Sequence, residues 1–404
     1  MMWFDPATAS FEQDPYPLYR RLRDESPVYH CQDGNEPVWI LSRHDDVQLA
    51  LADWHTFSNV DSMIDRRAAL SAQAAPYGHQ LITTDPPYHD DLRGVVKAYF
   101  SPRRIQSLES KITHEVVTLI PRLQSRQTVD VAGDFAWPLT LAIISEIIGV
   151  PESDRAAVLS SYQEFEYSES AERSAAALSS YTEYFDHLGS QRLALASDDL
   201  MSELMRAVAR EEISRPDAVM LCMDLFEGGV DVPANLIANS VLALADHPDQ
   251  RAYLSDSADD VARLRLAVEE LARYDAPIQR IPRIATKSLS CHGVTIPRGA
   301  TVLLLLGSAN HDERRFAHPD KLDVARPATR HLAFGAGIHF CIGAPLARLE
   351  ARLALPALLK VIPGYDVIEP VDRPRGDPVM RALLHLEVAA SLGGDRVPTR
   401  WRAS

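Results

Sequence analysis

The sequence predicts a mainly α-helical fold with a minor β region. Three observations carry that reading. Apolar residues recur at helical spacing along most of the 404-residue chain, and strand-like runs are short and few. The long segments without periodicity, 60–84 and 309–340, are rich in Gly, Pro, Asp and His. Loops of that length in a compact protein are commonly functional.

Along the chain, amphipathic patterns predict helices near 17–24, 45–52, 89–100, 105–123, 139–148 and 175–195. Pro216 stands near the start of a long apolar segment that runs to about Ala245, where His247-Pro248 stops it. Further helices are expected over 261–274, ending before Pro277, and over 343–361. Residues 38–41 read as a strand, 295–297 and 301–306 as a small hairpin pair, and 383–389 as a last strand. No internal repeat, low-complexity linker or domain break interrupts the pattern.

With 41 Lys+Arg against 56 Asp+Glu, the net charge is −15, which argues against nucleic acid as a partner. No apolar run approaches the ~18 residues of a membrane span, and the N-terminus lacks a signal-peptide pattern. Cys31, Cys222, Cys291 and Cys341 are too sparse for a disulfide framework, so reduced thiols and a cytoplasmic location are expected.

The segment 334–343 carries the chemistry. Cys341 lies between glycines in a loop that runs straight into a helix. Glycines let the backbone turn tightly and let a flat group approach. Backbone N–H groups and the helix N-terminus would favour a thiolate, a good axial ligand for haem iron. Phe334, Gly337, Cys341 and Gly343 occupy the fixed positions of F-x-x-G-x-x-x-C-x-G, so the chain resembles the cytochrome P450 superfamily. Glu270-Leu271-Ala272-Arg273 is similar to that family's E-x-x-R, and Asp323-Val324-Ala325-Arg326 to the segment that bears its third ion partner.

The resemblance implies the cytochrome P450 fold, a single catalytic domain over 1–404 and a haem b (iron protoporphyrin IX) ligated by Cys341. It implies a structural triad of Glu270, Arg273 and Arg326, and a clasp on the haem propionates made by His89, Arg93, Arg283 and His339. Phe334 and Gly343 would frame the cofactor. A buried dianion needs such partners.

The distal helix of the family usually reads A/G-G-x-D/E-T. Here Gly228, Gly229 and Asp231 match, but Val232 replaces the threonine and Pro233 follows. Pro233 has no N–H, so the Gly229 carbonyl loses its helical donor and a kink is expected. The Gly228 and Gly229 carbonyls with Asp231 would then hold water for dioxygen activation, with a substrate group standing in for the missing hydroxyl. Glu227, one turn before Asp231, is expected to bind a donor or cationic group on the substrate. Two carboxylates this close should push one pKa upward.

By resemblance, the pocket is walled by the loop 63–82, by 165–167, and by Val232, Ile278, Gln279, Val379 and Met380. The implied activity is monooxygenation, hydroxylation or dealkylation, of a mid-sized, mostly apolar small molecule, of the kind met in secondary metabolism. No flavin, iron–sulfur or dinucleotide-binding motif is present, so a separate ferredoxin and ferredoxin reductase would supply electrons. Arg326, Arg330, Arg348 and Arg352 form a candidate docking patch, with Glu350 the main exception. Val232 leaves room for oxidative coupling or direct peroxide use, and a non-catalytic haem-binding sensor is the reading from another class.

Overall fold

The computed structural model describes residues 14–33, 36–60, 78–124, 126–194, 197–327, 330–371, 373–374 and 379–390. Among the described residues, ten strands make three small sheets: β1 (Val28–Asp33), β2 (Glu36–Leu41), β3 (Phe57–Ser58), β4 (Thr128–Asp130), β5 (Arg280–Ala285), β6 (Leu289–Cys291), β7 (Val294–Ile296), β8 (Thr301–Leu305), β9 (Tyr365–Val367) and β10 (Glu387–Ala390). The largest runs β1-β2-β8-β5-β3, and its β2–β8 pair is parallel, with Val38 opposite Thr301. The expected hairpin between 295–297 and 301–306 does not form. β7 pairs with β6 through the turn at His292-Gly293, while β8 pairs with β2 and β5. Residues 302–305 are buried throughout, as a central strand covered on both faces requires.

The helices that frame the site are α1 (Tyr88–Val96), α2 (Trp137–Ile148), α3 (Arg155–Tyr167), α4 (Ala171–Ala194), α5 (Leu200–Ala209), α6 (Arg215–Ala245), α7 (Val261–Tyr274) and α8 (Ala344–Val361). The helix expected over 105–123 is two, Pro102–Ser107 and Glu109–Gln124, and the one expected over 89–100 ends at Val96. The sequence reading did not anticipate α3, although Val158, Tyr162 and Phe165 keep a buried i, i+4, i+7 stripe.

α6 is the axis of the fold. The Ser214 hydroxyl accepts the Asp217 N–H and caps it, and Pro216 sits in its first turn. Leu221, Cys222, Phe226, Val230 and Ile237 are wholly buried. Among the described residues it is the one helix long and apolar enough to cross a membrane, and most of it is covered by protein. A helix apolar on all sides is what a core position demands. The helix runs unbroken through Pro233, whose missing N–H leaves the Gly229 carbonyl without its helical donor. The Thr140 hydroxyl on α2 donates to the Val230 carbonyl at 2.8 Å beside the proline, tying down the backbone there.

Candidate active site

Cys341 lies at the junction between loop and helix. Its N–H donates to the Phe334 carbonyl at 2.9 Å, which closes the loop. Gly335 and Gly337 hold φ of +70° and +71°, the left-handed region that favours glycine. A Cβ on Gly337 would stand 2.4 Å from the Leu51 carbonyl oxygen, so the loop presses against the helix His44–Ala52. Gly343 precedes α8, with Pro345 in its first turn. Cys341 is exposed. Burial raises its pKa, and the N–H groups of Gly343 and Ala344, then Arg348 and Arg93, pull it back.

Beside the cysteine loop four basic groups converge. The rings of His89 on α1 and His339 in the loop lie 4.4 Å apart. His89 Nδ1 faces Asp90 at 2.9 Å, while the Nε2 atoms of both rings are buried with no hydrogen-bond partner. Arg93, one turn after His89, donates to the Phe340 carbonyl at 2.8 Å. Arg283 on β5 is 3% exposed and donates to the Pro282 carbonyl at 2.7 Å. Burial pushes the Arg283 guanidinium down to about 10. Burial, then the nearby His89, Arg283 and Arg93, push His339 down to about 3.

Behind the loop, Glu270 on α7 joins Arg273 and Arg326. Arg273 reaches the Glu270 carboxylate with Nε and Nη2 at 2.7 and 2.9 Å, and Arg326 Nε reaches it at 3.0 Å. The Asp323 N–H adds a fourth donor at 3.0 Å. Arg273 Nη1 and Arg326 Nη1 donate to the carbonyls of Asn310 and Ala317, both at 2.8 Å. The triad thus fastens the irregular segment after residue 309 to α7.

The family model for Cytochrome P450 matches residues 170–361. Cytochrome P450 monooxygenase PikC of Streptomyces venezuelae is 35% identical, covering 97% of this chain and 92% of that protein. The chain belongs to the cytochrome P450 family. The Vitamin D(3) 25-hydroxylase of Pseudonocardia autotrophica is 36% identical, covering 88% of each. The structure of the Bacillus subtilis bacillaene polyketide synthase cytochrome P450 PksS superposes with a TM-score of 0.86 at 29% identity, covering 96% of this chain and 100% of that one. This P450 is a monooxygenase enzyme.

A P450 carries a Cys-ligated haem, and these residues fit one. Cys341 offers an accessible sulfur. His89, Arg93, Arg283 and His339 gather cationic and donor groups with two orphaned ring nitrogens, the complement of a dianion.

The α6 face of this P450 shows the departure from the family pattern. Gly228 is exposed, and Gly229, Val232 and Glu227 are half-buried. A Cβ on Gly228 would meet nothing within 4 Å, whereas one on Gly229 would stand 2.4 Å from Ile144 Cδ1. Gly228 therefore faces open space, and Gly229 lets α6 cross α2. Asp231 is 1% exposed and turned toward α3. Its carboxylate accepts the hydroxyls of Tyr162, at 2.6 Å, and Tyr167, and the side-chain amide of Asn235. The sequence reading placed this carboxylate on water in the oxygen groove. The structure corrects that: its acceptor positions are taken by protein donors. Glu227 stands near Tyr162 as well, for its charge adds to the upward push on that phenol.

The wall residues divide. Ile278, Val379 and Met380 are half-buried, with Ile278 and Met380 bridged as an antiparallel pair. Gln279 does not join them. It is 3% exposed, donates to the Ala276 carbonyl at 2.8 Å and packs on Gly307. Adjacent residues of an extended segment point to opposite sides. Of the loop 63–82, residues 63–77 lie outside the described residues. The docking patch is also corrected. Arg326 is spent on the triad, Arg352 bridges Glu109 at 3.1 Å, and Glu350 is wholly buried. Arg330 is exposed, and Arg348 lies over the Phe334 ring at 4.2 Å while holding Glu269 at 2.5 Å. Both line a groove of about 410 Å³ with Gln48, Glu269, His331 and Phe334. Tyr162, Thr140 and Asn235 were not singled out from sequence. Only Asp231-x-x-x-Asn235, an i,i+4 pair, left a local signal.

Proposed function

We propose that this P450, acting as one catalytic domain over 1–404, hydroxylates or dealkylates a mid-sized, mostly apolar small molecule with one polar handle. A haem b held by Cys341, with His89, Arg93, Arg283 and His339 on its propionates and Phe334 and Gly343 beside it, would supply the redox chemistry that activates dioxygen. Val232, Ile278, Val379 and Met380 give the substrate an apolar wall, and Glu227 takes its donor or cationic group. The carbonyls of Gly228 and Gly229 hold water on the open face of α6. The observation that carries this reading is the accessible Cys341 thiol beside two buried, partnerless imidazole nitrogens. The name of the Vitamin D(3) 25-hydroxylase relative supports hydroxylation as the reaction.

Electrons come from a ferredoxin and ferredoxin reductase, docking at the groove that Arg330 and Arg348 line. A spin-state titration of the ferric protein against a compound library tests the substrate class. Apolar compounds bearing one donor group should shift the Soret band, and Glu227→Gln should weaken those alone. A preference for polar compounds, or no effect of Glu227→Gln across pH, sinks the reading. Oxidative coupling is the second reading, favoured by the absence of a hydroxyl at Val232. Product formed per NADH consumed separates the two when Val232→Thr is compared with wild type. Little gain in coupling supports a working substitute for the hydroxyl, and a large gain overturns it.

A further inference from the structure

A cluster of metal-ligating side chains lies outside the site described above, at the small β6–β7 hairpin. The two strands close with Cys291 opposite Val294, which leaves His292-Gly293 as a two-residue turn. Both turn residues hold positive φ, +49° at His292 and +79° at Gly293. That is the pattern of a type I′ turn, whose first place usually carries asparagine, aspartate or glycine. Histidine is tolerated there at a steric cost, and its ring is turned back onto the helix His44–Ala52. His292 Nε2 stands 2.8 Å from Asp46 Oδ2, and Cys291 Sγ stands 3.8 Å from Asp46 Oδ1. Among the described residues this is the one set in which three such ligand atoms lie within 4.8 Å of one another.

The donor types select the ion. Thiolate and imidazole favour zinc, whereas magnesium and calcium prefer oxygen alone. Zinc bonds of about 2.0–2.3 Å hold tetrahedral ligand atoms roughly 3.3–3.8 Å apart, so the cluster needs shifts of about 1 Å or less. The thiol also differs from the others in the chain. Cys31 and Cys222 are buried and Cys341 belongs to the haem loop, whereas Cys291 is half-buried with its sulfur toward a carboxylate. Asp46 is half-buried and His292 exposed, so an ion can enter from solvent. Arg43, whose charge also reaches Cys291, is held by its Nε on the Arg23 carbonyl at 2.9 Å.

We propose that Asp46, Cys291 and His292 form a zinc site that staples the β6–β7 hairpin to the helix His44–Ala52. A sulfur–zinc bond replaces the S–H bond and the thiol proton goes to solvent. The thiolate and the carboxylate together then balance the charge of the ion. Three protein ligands leave the fourth position to water. The last turn of the same helix carries the Leu51 carbonyl against which Gly337 presses, so the staple braces the support of the cysteine loop.

The test uses the haem-loaded full chain, stripped of trace metal with EDTA and desalted, and zinc chloride as the probe. Calorimetry at mildly alkaline pH should show saturable uptake of one ion per chain. Cys291→Ser, Asp46→Asn and His292→Asn should each weaken uptake at least about tenfold. His292→Asn supplies a residue that the turn itself prefers, so the hairpin is kept. In the unmutated protein, zinc should raise the thermal midpoint and slow alkylation of Cys291 by iodoacetamide severalfold, as read by peptide mass spectrometry, and magnesium should do neither. No saturable uptake, or unslowed alkylation, overturns the site. Uptake that any one of the three variants leaves unchanged overturns this ligand set. Equal protection by magnesium overturns the choice of zinc, and an unmoved thermal midpoint overturns the staple. Loss of the CO-difference spectrum on adding zinc puts the ion on Cys341 and overturns the proposal.

Discussion

The imidazole rings of His89 and His339 stand 4.4 Å apart, and each keeps a buried nitrogen with nothing to bond. Arg93 and Arg283 share the neighbourhood, and the charges of both contribute to pushing His339 down. Four basic groups held together around unfilled hydrogen-bonding capacity call for an anion between them.

His339→Ala should therefore loosen the haem without unfolding the protein. A hydrogen bond to a charged group is worth about 1.5–3 kcal/mol, so haem transfer to apomyoglobin should quicken roughly 10- to 100-fold. An unchanged transfer rate would remove His339 from the clasp.

The same histidine sets a pH dependence once the haem is extracted. Its native pKa of about 3 lies below the ordinary 6.5. Between those values the unfolded chain binds the proton and the native one does not, so stability falls as pH drops from about 6.5 toward 3. Propionates would raise the native value and shrink that loss. Thermal midpoints of apoprotein and holoprotein over this range should diverge as pH falls, and parallel curves would contradict the assignment.

Glu350 on α8 carries the opposite sign. It is wholly buried, neither carboxylate oxygen has a hydrogen-bond partner, and burial raises its pKa well above the usual range. The native state keeps its proton where the unfolded chain releases it, so stability falls as pH rises above about 4.5. Glu350→Gln should raise the thermal midpoint at pH 8 and flatten its slope against pH. An equal or steeper slope would mean that a charged partner holds the group.

The glycine pair on α6 should split by packing. Gly228→Ala meets open space and should keep or raise the thermal midpoint, by up to about 1 kcal/mol of helix propensity. Gly229→Ala drives a methyl into Ile144 and should cost about 1–3 kcal/mol, recovered by Ile144→Val or Ile144→Ala. Equal effects of the two alanines would mean that α2 and α6 do not pack as described.

What could be read from the sequence was what is local. Phe334, Gly337, Cys341 and Gly343 lie within ten residues, and Glu270 and Arg273 are one helical turn apart, so spacing alone places each set together. Gln279 misled because Ile278 and Gln279 were assigned to one wall, although alternation along an extended segment forbids it. Arg352 was legible as a cation, but its partner, Glu109, lies 243 residues away, and Arg326 was placed both in the triad and in the docking patch, although its pairing with Glu270 leaves it only the first. The tyrosines on Asp231 are 64 and 69 residues from it, with no periodicity linking them. The hairpin misread over 295–306 has the same root, since β8 takes its neighbours from β2 and β5 rather than from the next strand.

The parallel pairing of Val38 with Thr301 has a consequence for how the chain is made. β2 emerges from the ribosome early, yet its partner on that edge is more than 260 residues behind. At 5–20 residues per second, that is a wait of roughly 15–50 s. During synthesis the nascent hairpin of β1 and β2 must survive with one border uncovered, and the long-range closure that covers it comes late.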